Sequence, residues 1–306
     1  MRIILSIVVI IANLSTIVAQ PTKVLPVQFT HFFKTYSFLN PASIGMNAPF
    51  EAMAGDKALT GAFAGVQTIY ANINLQLSKD SVRKVKHVMG ITFVNDKEGS
   101  FINRSRVSLL YALHIPLSEK FTLSSGTAVG FVNHFFGASN INPGGSDLAP
   151  NIDFGIWLRS KSFNLGISGD QLVPFTMRPI DQAYVLSRHY NIVLDKSISL
   201  SRHLKFTPTV LWRWDELNNK NFDFALLSLI HENLLVAVSY KYERALAFSA
   251  GLERIKIGNQ IFRLMLSYNS PAGKKLYYNP QSYDLLLSYV ILKKKKYNLV
   301  EESVSE

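Results

Sequence analysis

The stretch Tyr190-Asn191-Ile192-Val193-Leu194-Asp195-Lys196-Ser197-Ile198-Ser199-Leu200 decides how this chain folds. Tyr190, Ile192, Leu194, Ile198 and Leu200 share one face of an extended backbone. His189, Asn191, Val193, Asp195, Ser197 and Ser199 share the other. A strand repeats every two residues, so the stretch builds one apolar wall and one wet wall. The pattern recurs from Phe50 to Leu292. Ile69, Ala71, Ile73, Leu75 and Leu77 oppose Thr68, Tyr70, Asn72, Asn74 and Gln76, and Tyr283, Leu285, Leu287 and Tyr289 oppose Ser282, Asp284, Leu286 and Ser288. Such walls imply an all-β chain, a transmembrane antiparallel β-barrel of about fourteen strands. Alternation alone does not tell which wall meets lipid, so a soluble exported β-sandwich stays open.

The start of the chain reads as an export signal. Met1-Arg2 gives a positive end, Ile3 to Ala12 an apolar core, and Ile17-Val18-Ala19 a small-residue stop before Gln20. This fits cleavage after Ala19. Asn13, Ser15 and Thr16 interrupt the apolar run, which falls short of the roughly 20 residues of a spanning helix. The expected organisation is a signal peptide at 1–19, an N-terminal segment at 20–48 that is periplasmic or plug-like, an outer-membrane barrel at 49–292, and a tail of basic and acidic residues at 293–306.

Composition narrows the function. The 306 residues include no cysteine, so there is neither a disulfide framework nor a thiolate nucleophile or metal site. The net charge of +11 suits anionic lipid headgroups or an acidic protein in an exported chain. No zinc spacing or nucleic-acid-binding signature accompanies it, and no nucleic-acid partner or cofactor is expected.

Strands are expected to begin near Phe50, Thr68, Val85, Phe101, Phe121, Asn151, Phe163, Ser187, His203, Phe222, Leu234, Leu246, Ile261 and Ser282. Outer-membrane barrels join strands by short periplasmic turns and longer outer loops. The short joins here are Arg159 to Ser162, Leu200 to Arg202 and His231 to Asn233. The long ones are His134 to Pro150, Asp170 to Leu186 and Asn269 to Gln281, and the two classes fall on opposite ends. That count places both mature termini in the periplasm. It also gathers Arg83, Lys84, Lys86, Lys120, Arg159, Lys161, Arg202, Lys205, Arg254 and Lys256 at the periplasmic end, followed by Lys293, Lys294, Lys295 and Lys296. These cations form either a solvated rim against lipid headgroups or a docking surface for an acidic periplasmic partner, with Lys293 to Lys296 as contact candidates.

No active site is nominated. Ser187-Arg188-His189 and Ser201-Arg202-His203 put Ser and His on one strand face, but at about 7 Å, too far for a direct bond. Asp195 shares a wall with His189. His31, His87, His114, His134 and His231 lack metal-ligand spacing. Asp215-Glu216 and Glu301-Glu302 point to opposite faces of a strand, and Asn142 to Asp147 resembles a surface loop more than a phosphate cradle.

The segment before the strands is dense in specific residue types. It reads Val27-Gln28-Phe29-Thr30-His31-Phe32-Phe33, then Asn40-Pro41-Ala42-Ser43-Ile44-Gly45. Asn-Pro-Ala fits a turn in which Pro41 fixes φ, and Gly45 can take a positive φ. Phe29, Phe32, Phe33, Tyr36 and Phe38 can pack the segment into or under the barrel. This opening resembles the PorP/SprF family of the Bacteroidetes type IX secretion system. So do Asp153-Phe154-Gly155-Ile156-Trp157 with Leu165 to Ser168 and Gln171-Leu172, Arg188-His189-Tyr190 with Phe206 to Leu211, and the closing Ser282 to Tyr289. The family's Arg-Asn-Gln-Trp-like stretch is replaced here by Gly55-Asp56-Lys57-Ala58-Leu59-Thr60, so no contact made through it carries over.

The resemblance implies an outer-membrane protein without enzymatic activity. Such a protein would help a secreted cargo with a C-terminal sorting domain, such as a gliding adhesin, to dock at or cross the outer membrane with other type IX components. It points to Gln28, Phe29, Asn40, Pro41 and Gly45 as anchors of the N-terminal segment, and to the loops at His134 to Pro150 and Asp170 to Leu186 for cargo contact. A passive porin and a lipid-modifying barrel enzyme are the alternatives.

Overall fold

In the computed structural model, the residues described are 22–23, 27, 29–46, 48–77, 85–139, 143–180, 183–216, 219–242, 244–272 and 281–292. Alternating side chains drive fourteen antiparallel strands into one closed barrel. The strands are β1 (Phe50–Leu59), β2 (Gln67–Gln76), β3 (Lys86–Glu98), β4 (Ile102–Pro116), β5 (Thr122–Phe136), β6 (Gly145–Arg159) and β7 (Phe163–Asp170). They continue as β8 (His189–Lys196, with a stub at Ile198–Ser199), β9 (Leu204–Asp215), β10 (Lys220–Ile230), β11 (Leu234–Lys241), β12 (Ala245–Ile257), β13 (Gln260–Pro271) and β14 (Ser282–Ile291). Each pairs with its sequence neighbours, and β14 closes on β1 with Ser282 opposite Leu59 and Ile291 opposite Phe50. Closure leaves no open sheet edge, which is what lets strands cross a bilayer.

The two walls of the opening stretch now have names. Leu194 is 41% exposed and Ile198 43%, whereas His189, Asn191, Val193 and Asp195 are buried. The apolar wall is the outer one. Around the barrel, Ile73, Leu109, Phe131, Ile156, Leu226 and Leu287 are exposed in the same way, a continuous apolar surface that water would not tolerate and lipid does. Tyr268 and Tyr283 pair near one rim at 5.3 Å, and Phe262 and Tyr289 near the other at 5.0 Å, as girdle aromatics do.

Strand β8 breaks just after Asp195, where Lys196 faces Pro208 of β9 and Ser197 faces Thr207. The register runs from Asp195–Thr209 to Ile198–Phe206 across the gap, and proline, having no N–H to give, sits where a ladder is interrupted. Strand β6 begins at Gly145, six residues before the expected Asn151, so the loop read at His134 to Pro150 shrinks to 137–144. Residues before Phe154 in β6 run in a ladder with β5 alone, because β7 is shorter, and on the other side the Leu172 N–H bonds the Ile152 carbonyl at 2.8 Å. Pro150 therefore lies along an unpaired edge and does not end the strand.

The longest joins, 171–188 and 272–281, lie at one end (the loop end). The joins 160–162, 200–203 and 231–233 lie at the other (the turn end). The separation is not strict, since 99–101 and 242–244 are short joins at the loop end and 77–85 a longer one at the turn end.

One expectation is overturned. Thr22–Lys23 pairs in parallel with Tyr184–Val185, inside the 171–188 connection, and Tyr184–Leu186 pairs in turn with Phe175–Met177. The beginning of the described chain is therefore at the loop end, while β14 finishes at the turn end. The two do not share a side. The reason is that the intervening segment runs through the barrel.

Candidate functional site

The lumen is filled by the chain that precedes β1. Phe29, Thr30, His31, Phe32, Phe33, Thr35, Phe38, Leu39, Asn40, Ala42, Ile44 and Ala48 are all buried. The segment enters near the loop end, where Asn269 Nδ2 donates to Thr30 Oγ1 at 2.7 Å. It leaves near the turn end, where Arg159 Nη1 donates to the Met46 carbonyl at 2.8 Å. A plug of this kind is possible because its aromatic side chains and the inward apolar residues form one cluster. Phe29, Phe32, Phe33 and Phe38 pack with Tyr70, Leu211, Leu227, Leu235, Met265 and Leu286. Edge-on ring contacts order the run, Phe29 against Tyr70 at 4.9 Å and Phe32 against Phe33 at 5.6 Å.

Below the aromatic run the segment turns. Asn40 caps a short 3-10 turn at Pro41–Ser43, its Oδ1 accepting from the Ala42 N–H at 2.9 Å. Its Nδ2 donates to the carbonyls of Ile156 and Ile167 at 3.1 and 3.0 Å. One side chain thus ties the plug's own backbone to β6 and β7. The Leu39 carbonyl accepts from Ser168 Oγ at 2.5 Å and from Asn191 Nδ2 at 3.3 Å. Tyr36 donates its hydroxyl to Asp195 at 3.1 Å. Gly45 takes φ +62° under Val88, and the carbonyl of Ile44 lies 2.9 Å from His114 Nε2.

The wall makes room for this turn with glycine. A Cβ added at Gly126 would come within 2.5 Å of the Ala42 backbone nitrogen, and one at Gly155 within 2.0 Å of Asn40 Oδ1. Neither neighbour can move without unseating the turn.

Of the anchor positions named from sequence, Phe29, Asn40, Pro41 and Gly45 are placed in the lumen as described. Gln28 and Lys293, Lys294, Lys295 and Lys296 lie outside the described residues, as do 1–21. The serine–histidine pairs are not assembled into a site. Asp195 is engaged by Tyr36 and Asn164, and Ser201 Oγ accepts from the backbone N–H of His203, whose ring instead stacks 4.6 Å from His231.

A different constellation, which the sequence did not suggest, does come together. Ser267 Oγ is 2.6 Å from His31 Nε2, and His31 Nδ1 is 3.5 Å from Asp284 Oδ1, with Ser249 bonded to the same serine. This has the order of a nucleophile, base and orienting acid. All three side chains are buried against the plug, with Tyr70 also donating to Asp284 at 3.0 Å. It pins the plug to the wall, and Ser249, Ser267 and Asp284 also line a recess of about 650 Å³. Among the described residues no group of three or more His, Cys, Asp or Glu could hold a metal.

Charge differs between the two ends. Near the loop end, Arg213 and Arg244 share Asp223 at 2.6 and 2.5 Å, Arg104 meets Asp96 and Glu98, and Arg188 meets Glu216 at 3.1 Å. Near the turn end, two recesses flank the exit of the plug. One of about 150 Å³ is lined by Lys86, His114 and Arg159, and one of about 290 Å³ by Arg202, His203, Lys205, Arg254 and Arg263 among others.

A closed, lipid-faced and internally sealed barrel of this kind is an outer-membrane β-barrel protein. The model of the type IX secretion system membrane protein PorP/SprF matches residues 22–289, and the chain belongs to that family. Its fold is shared with solved barrels of low sequence identity. The toluene transporter TbuX of Ralstonia pickettii aligns with a TM-score of 0.55 at 9% identity, over 83% of this chain and 92% of that one. The CymD monoaromatic hydrocarbon channel aligns at 0.51 and 8% identity, over 85% and 92%. At that identity the likeness concerns the fold alone. No curated protein matches the sequence.

Proposed function

We propose that this barrel works as a non-enzymatic docking component of the type IX secretion machinery, holding a secreted cargo with a C-terminal sorting domain at the outer membrane. The observation that carries this reading is the filled lumen. A barrel whose interior is packed with its own aromatic segment offers surfaces for binding in place of a passage. The cargo surface is assigned to the loop end, at 137–144 and 171–188. The second of these supplies two strands of a three-stranded sheet whose third strand is Thr22–Lys23.

The test is a mild-detergent pull-down of the tagged protein from native outer membranes, beside a variant with 171–188 shortened to a Gly-Ser link. Recovery of a large secreted protein bearing a sorting domain, lost in the shortened variant, is the expected result. A barrel recovered alone that conducts ions steadily in planar bilayers would sink the reading in favour of a porin.

A further inference from the structure

The turn end carries a surplus of positive charge that the barrel does not neutralise itself. Of the described carboxylates at this end, Glu253 is taken by Lys34 at 2.8 Å and lies 3.8 Å from Arg263, Glu51 is taken by Arg263 at 3.2 Å, Glu232 is taken by Arg254, and Asp195, bonded by Tyr36 and Asn164, lies within electrostatic reach of Arg159 and Lys205. Glu119 stands on another turn, at 117–121. Among the described residues Arg202 and Lys205 make no ion pair, and both line the 290 Å³ recess with His203, Arg254 and Arg263, whose cations outnumber the two carboxylates of the lining, Glu232 and Glu253. Exposed Lys120, Lys161 and Lys256 extend the same sign around the rim, and Lys86 and Arg159 line the second recess. Like charges gathered at one rim repel one another, and a counter-charge relieves that cost.

We propose that the turn-end mouth is a binding surface for a carboxylate-rich segment of a periplasmic protein, received in the recess of Arg202, His203 and Lys205. The inward position of that recess is what favours a protein segment over a membrane. Lys205 shares the lumenal face of β9 with Thr209 and Arg213, and Leu229 beside it shares the lumenal face of β10 with Leu227. Lipid headgroups meet the outer face of the barrel, whereas a flexible acidic peptide can enter the mouth.

The proposal rests on the turn end facing the periplasm and not on cargo docking at the opposite end, so either can fail alone. The probe is a fluorescein-labelled oligoglutamate, titrated by anisotropy onto the purified full chain in a neutral detergent. Arg202→Glu with Lys205→Glu is expected to weaken binding by at least about tenfold, and rising salt to weaken the wild type steeply. A loop-end control, Lys97→Glu with Lys220→Glu, should stay within about twofold. Heat-modifiable migration verifies folding of each variant, and Arg202→Gln with Lys205→Gln gives a milder version if the reversal misfolds. Equal losses from both ends would overturn the proposal. So would wild-type protein that ignores oligoglutamate but binds phosphatidylglycerol vesicles, which would make the face a headgroup surface.

Discussion

Two halves of the lumenal segment hold the barrel by different physics. The rings of Phe29, Phe32 and Phe33 fill space, merged with Leu211, Leu235, Met265 and Leu286 into one apolar cluster, and only Thr30 and His31 between them bond to the wall. Leu39 to Gly45 make directed bonds, with Asn40 reaching β6 and β7 and the Leu39 carbonyl reaching β7 and β8. Apolar packing is strong but tolerant of small rotations, since dispersion has little direction. Hydrogen bonds are individually weaker in net terms but fix angle and register. The upper half therefore supplies most of the free energy that keeps the lumen sealed, and the lower half decides how the segment sits.

The comparison breaks first where bulk is removed. Phe32→Ala should cost about 3–5 kcal/mol, the range for truncating a buried aromatic, read as a lower unfolding midpoint in detergent. A loss under about 1 kcal/mol would mean the upper half is not the main source of stability. Asn40→Ala leaves the Ala42 N–H and two wall contacts without their partner, and about 1–3 kcal/mol is expected. Its sharper signature is loss of position, seen as faster amide exchange at Ala42 to Gly45 while Phe29 to Phe33 stay protected. Uniform exchange along the whole segment would dissolve the distinction. Tyr36→Phe removes only the hydroxyl that meets Asp195, which keeps its bond from Asn164 at 2.8 Å. About 1 kcal/mol is expected, measurable by the same unfolding curves.

The barrel was legible because its pattern is local. Two-residue alternation needs no knowledge of distant chain, and most strand starts fall within a few residues of their expected places. Strand β6 was misplaced because Pro150 and the Asn142 to Asp147 composition argue for a loop, and only the shortness of β7 makes that stretch an edge. The plug's residue types were visible too. Its path was not, because nothing in a short aromatic segment reveals which end of a barrel it enters. The His31–Ser267–Asp284 pin was hidden for a related reason: its members come from opposite ends of the sequence, and only closure of β14 on β1 brings them together.

The route of the chain from Thr22–Lys23 at one rim to Phe50 at the other has a consequence for assembly. The segment precedes β1, and the seam that closes the ring joins β14 to β1, so the ring encircles a stretch of its own polypeptide. Once the seam is made, the N-terminal end is threaded like the tail of a lasso. A folded domain fused ahead of residue 20 would have to pass through a packed ring or be in place before the ring closes. The segment and the ring are thus held together by topology as well as by packing, and parting β14 from β1 is the one way to free the segment sideways.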